Sequence, residues 1–144
     1  MKPHPFVRAY MAGVVLPSIF MLIPMSIYAY HQFYLEVPSQ FVFGLPARPL
    51  ARALVFPMAV IPNVWGLWNV VHVAMRPSAR LPIGAHGALL PLILIPTGVM
   101  LAGLFDVFHI QFWYAAPVVP LGMVFYYLLW KYVVGFLNVE VGIA

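Results

Sequence analysis

The chain has 144 residues, of which 65% are hydrophobic and only 7% charged, with a net charge of +4. Soluble domains carry about 25% charged residues, so this composition excludes an ordinary water-soluble fold and describes an integral membrane protein. Lys and Arg stand singly or in pairs at the ends of apolar runs, where membrane orientation explains them, so the positive balance is no sign of nucleic-acid binding. The lack of cysteine excludes thiolate catalysis, disulfide exchange, Cys-bound zinc, iron–sulfur clusters and c-type haem.

The first apolar run, residues 9–30, follows Lys2 and Arg8. It exceeds the roughly 7–15 residues of a secretory signal core and ends in Tyr28, Tyr30 and His31 with no small-x-small cleavage site. It reads as a retained signal-anchor helix. The connection at 31–48 sets Phe33, Tyr34, Phe41 and Phe43 among polar residues, with Pro38 and Pro46. Irregular backbone does not face lipid at depth, so this loop is expected to lie in the outer headgroup region over the bundle.

The second span, 49–75, opens on Pro49, a residue suited to a first helical position. Its stretch 53–75 is uncharged and lies between Arg52 and Arg76. Within it Met58, Pro62, Trp65, Asn69, His72 and Arg76 are spaced 4, 3, 4, 3, 4 and so share one helix face. Asn and His are costly in hydrocarbon without partners, which turns that face toward the bundle or a bound molecule. Trp68 lies beside it near mid-span, too deep for an interfacial anchor.

A short basic turn at 76–84 leads to a third span, 85–105, in which Gly98 and Ala102 have the small-xxx-small spacing of close helix contacts, as do Ala9 and Gly13 in the first. After an equally short turn at 106–111, Phe112, Trp113 and Tyr114 open a fourth span at 113–134. Tyr126, Tyr127, Trp130 and Tyr132 close it around Lys131 as an aromatic belt. Each span holds two interior prolines, which predicts kinks.

The expected architecture is an all-α, antiparallel, Pro-kinked bundle of four transmembrane helices forming one domain. Lys2, Arg8, Arg76, Arg80 and Lys131 fall on one side and Arg48 and Arg52 on the other. By the positive-inside rule both termini are then cytoplasmic, in an inner or plasma membrane. Glu36 and Asp106 land on the outer side, where they are expected to pair with Arg48 and Arg52.

Histidines are the main candidate ligands. His72 and His86 approach the inner side on different helices, and His31 and His109 the outer side, an arrangement open to haem b or a chlorophyll-type pigment. His31, Asp106 and His109 offer a weaker set for a divalent metal, against which stands a plain solvated turn. The face carrying Trp65, Asn69 and His72, with Trp68 beside it, either walls a pocket for a quinone, carotenoid or pigment or serves as helix–helix contact, and the second reading ranks first. No phosphate loop, nucleophile elbow or HExxH motif occurs, and no span carries a deep charge of the kind that proton-coupled and cation pathways use. The functional expectation is a non-catalytic transmembrane subunit of a larger complex, in contact with lipids and partner helices. A haem- or pigment-binding redox or light-harvesting subunit and a small transporter or channel component are the alternatives.

Overall fold

The computed structural model describes residues 3–34, 41–42, 45–78, 81–104, 113 and 116–143. Helix α1, Pro5–Phe33, starts where it does because Pro5 needs no N–H partner and His4 Nδ1 accepts a 3.3 Å bond from the Phe6 N–H. Pro17 and Pro24 lie inside it without ending it. An apolar surrounding penalises open backbone groups enough to hold a helix through such gaps. Part of the predicted outer loop is a two-residue antiparallel ladder, β1 (Phe41–Val42) with β2 (Leu45–Pro46), pairing Phe41 with Pro46 and Val42 with Leu45.

Helix α2, Ala47–Met75, begins before Pro49, which sits in its first turn where the missing N–H is harmless. The third predicted span is two helices, α3 (Ile83–Ala88) and α4 (Leu90–Leu104). Pro91 accounts for the break: its ring crowds the Gly87 carbonyl and it has no N–H to give that carbonyl. Leu89 and Leu92 bond three residues back instead, to His86 and Leu89, at 3.3 and 3.2 Å.

The fourth predicted span is displaced toward the C-terminus. It runs as α5 (Val118–Leu129), a π turn (Trp130–Val134) and α6 (Gly135–Glu140). The aromatic belt at 126–132 therefore does not close the helix, which continues beyond it. Tyr127, Lys131 and Tyr132 are exposed, with Lys131 Nζ 5.7 and 5.1 Å from the two ring centres. Trp130 is not: it is fully buried. After Glu140 the chain ends in a Schellman turn, with Gly142 N–H bonded to Val139 and Ile143 N–H to Asn138, both at 2.9 Å. Gly142 sits at φ +71°, a conformation that glycine adopts without a Cβ penalty.

Among the described residues, three helical stretches are long and apolar enough to cross a membrane: Pro5–Phe33, Ile83–Leu101 and Val118–Glu140. Helix α2 equals α1 in length, at 29 residues each. These two pack antiparallel through small residues. Ala9 is buried, and a Cβ on Gly13 would lie 2.7 Å from the Trp65 carbonyl oxygen and 2.8 Å from Gly66 Cα. The predicted seam at Ala9 and Gly13 is thus a backbone-to-backbone contact. Gly98 makes no such contact among the described residues, since none of them comes within 4 Å of a Cβ placed there.

The apolar core is small. Trp65, Leu90, Trp130 and Val134 join α2, α4 and the π turn. Arg8 and Arg76 close the bundle at the end where the chain terminates. Arg8 Nη1 donates to the carbonyls of Val141 (2.7 Å) and Gly142 (2.9 Å), and Arg76 Nη1 to that of Ile143. A helix C-terminus presents unpaired carbonyls and a partial negative charge, which two guanidinium groups satisfy. The first turn of α1, the last of α2 and the end of α6 thereby lie together.

Candidate functional site

The face of α2 singled out by spacing is its buried face. Pro62, Trp65, Asn69 and His72 are all buried, whereas Leu67, about 200° around from Asn69, is 58% exposed. Arg76 is exposed, and the side chain of Met58 lies outside the described residues.

Asn69 is completely buried and fully engaged. Its Nδ2 donates to the Ala9 carbonyl of α1 at 2.8 Å and to Asn138 Oδ1 of α6 at 2.7 Å, and Asn138 Nδ2 returns a 3.1 Å bond to Asn69 Oδ1. One amide thus ties α2 to two other helices. Left unpaired in hydrocarbon it would cost several kcal/mol.

The π turn makes that pairing feasible. Trp130, Val134 and Asn138 are buried at intervals of four. In a regular α-helix, at about 100° per residue, Asn138 would lie about 80° from Trp130. The Gly135 N–H reaches back to the Trp130 carbonyl, an i→i+5 bond. The extra residue in that turn sets α6 back by about 100°, so Trp130 and Asn138 come within about 20° of one face.

One turn along α2, His72 meets His86 of α3, with ring centres 4.9 Å apart and planes inclined by 52°. Both imidazoles are buried, at 5% and 3% exposure. His86 also stacks on Trp68, at 4.9 Å and 29°, and lies 6.1 Å from the Trp130 ring. Two hydrogen bonds fix this packing: Trp68 Nε1 donates to the His86 carbonyl at 3.0 Å, and His86 Nε2 lies 3.3 Å from the Trp68 carbonyl. A carbonyl only accepts, so Nε2 carries the proton and Nδ1 of the neutral ring keeps its lone pair. His72 makes no hydrogen bond among the described residues. A Cβ on Gly87 would fall inside the Trp130 side chain, so only glycine lets this indole lie beside His86.

The two histidines face each other, but not as axial ligands of one haem. Opposed imidazoles on a single iron, at about 2 Å per bond and with a macrocycle between them, have ring centres roughly 6 Å apart. The observed separation of 4.9 Å is too short for that arrangement.

His31 lies 22 positions along α1 from Ala9, at the far end of the helix from this cluster, half-buried with its ring 6.3 Å from that of Tyr30. Glu36, Asp106 and His109 lie outside the described residues, and with them the weaker metal set and the outer ion pairs. Arg48 and Arg52 are exposed on the first turns of α2. No group of three or more His, Asp or Glu able to hold a metal occurs among the described residues.

Sequence reasoning missed Asn138, the burial of Trp130 and the Gly87 notch. Asn138 and Trp130 follow or flank Lys131, which reads as the exit from the membrane. The usable signals were the interval of four linking Trp130, Val134 and Asn138, and the two glycines flanking His86 at 84 and 87. No protein-family model, no curated protein and no solved structure matches this chain.

Proposed function

We propose that the chain is a four-span transmembrane subunit, with both termini cytoplasmic, whose role is to pack against partner helices in a larger membrane complex rather than to catalyse. The observation that carries this reading is how little of three of these spans the chain covers for itself. Only 22% of the apolar window of Pro5–Phe33 is buried, 28% of Ile83–Leu101 and 11% of Val118–Glu140. On α4, Gly98 has nothing among the described residues within 4 Å of the place a methyl group would occupy, while the equivalent Gly13 seam of α1 is filled by α2. Small residues admit a helix backbone closely, and the open α4 face has the form of a contact whose other half lies on another chain.

The orientation rests on the five basic residues of one side against two of the other, and the Arg8 and Arg76 bonds to the C-terminal turn agree with a common side for both ends. A reporter fused after Ala144 should behave as cytoplasmic and one inserted between Glu36 and Pro46 as external. The opposite labelling overturns the orientation.

The subunit reading is tested by extracting the protein with its surrounding lipid in polymer-bounded nanodiscs and measuring the protein mass per particle. A fixed stoichiometry with a second polypeptide, lost on Gly98→Trp while the chain still inserts, supports it. Particles holding one chain and lipid alone contradict it.

A further inference from the structure

We propose that His72 and His86 form a two-imidazole site for a first-row transition-metal ion, copper(II) by preference, at the seam between α2 and α3. The site stands apart from the subunit reading, because both ligands belong to this chain.

Ring separation is the first ground. With metal–nitrogen bonds of about 2.0 Å and about 1.1 Å more to each ring centre, imidazoles on adjacent positions of one metal have centres roughly 4.4–5.2 Å apart. Imidazoles on opposite positions have centres roughly 6.2 Å apart. The observed 4.9 Å falls in the adjacent range.

Hydrogen bonding is the second. A metal-binding histidine commonly donates its other ring N–H to a carbonyl, which fixes the tautomer and raises the basicity of the free nitrogen. His86 does this through Nε2 to the Trp68 carbonyl, leaving Nδ1 as the ligand atom. Trp68 is in turn held by its indole N–H on the His86 carbonyl, so the ring is braced before any ion arrives.

His72 is the third. At 5% exposure it makes no hydrogen bond among the described residues, and its ring nitrogens are not among the fully enclosed polar atoms that lack a partner, so they stay within reach of an incoming ion. Arg76, one turn on, has its guanidinium drawn to the Ile143 carbonyl.

Neutral nitrogen donors without carboxylate or thiolate favour copper over magnesium or calcium, and the order of divalent affinities peaks at copper. Two protein ligands leave positions open for water or an incoming donor, so the ion would be accessible to exchange and not locked in as a structural metal.

The test uses the full chain in detergent, purified without a polyhistidine tag and carrying His4→Ala, because an exposed histidine near the amino terminus competes for copper. Titration with copper(II), followed by electron paramagnetic resonance, should give one ion per chain coupled to two imidazole nitrogens. His72→Gln and His86→Gln should each weaken binding by at least about tenfold and reduce the coupled imidazoles to one. The nitrogen count in the His4→Ala protein tests the site even if a variant fails to fold. Absence of tight binding, coupling to fewer than two imidazoles in that protein, or unchanged affinity in the double variant overturns the proposal.

Discussion

Two glycines separate what the chain packs for itself from what it leaves open. Gly87 faces the Trp130 indole so closely that a methyl group has no space, and the obstacle is the root of a fully buried side chain that cannot swing aside. Gly98 faces nothing within 4 Å among the described residues. Gly87→Ala should therefore lower stability by about 1–3 kcal/mol through overpacking. Gly98→Ala should be neutral or raise stability by up to about 1 kcal/mol, since alanine is the better helix former. Denaturant unfolding in mixed micelles measures both, and equal effects would contradict the placement of Trp130. At this scale the sequence was legible where a period of 3.6 was at work: the Trp65–Asn69–His72 face was readable because its neighbours off the stripe are apolar. Trp130 was not, because an aromatic residue beside lysine reads equally well as an interfacial anchor.

Among the elements, the π turn joins sequence to packing most directly. The all-helical, membrane-spanning character followed from apolar run lengths, but run length says nothing of phase, and phase decides whether Asn138 meets Asn69. The break at Leu89 was legible in part, since every interior proline predicts a disturbance without saying which ones a helix absorbs. Pro17 is absorbed within α1, while Pro91 divides α3 from α4. If the π turn is an extra residue that keeps the buried face aligned, deleting Tyr132, which is 62% exposed, should relax it to ordinary helix and leave Asn138 facing α2. Inserting one alanine at the same point should turn α6 by about a further 100° and remove the pairing. The expected result is a deletion that costs less stability than Asn138→Ala and an insertion that costs at least as much. A reversed order in the same unfolding assay would mean that the π turn does not set the phase.

For the whole molecule, a thin apolar core is joined at one end by polar contacts between segments distant in sequence. Asn69 meets Ala9 and Asn138, Arg8 holds the turn at Val141 and Gly142, and Arg76 reaches Ile143. Composition made the membrane class legible. It left the long-range pairs illegible, because one asparagine on a helix does not say which other asparagine completes it. Water competes little for these groups inside a bilayer, so a few such contacts fix which helices are neighbours. The most direct test of this arrangement is a double-mutant cycle on Asn69→Ala and Asn138→Ala, with unfolding free energies measured in lipid-like bicelles. A paired Asn69 and Asn138 should show a favourable coupling of about 0.6–2 kcal/mol, so that the double variant is little less stable than either single one. Single effects that add to within about 0.3 kcal/mol would show that the two side chains do not meet, and would contradict the mutual packing of α1, α2 and α6.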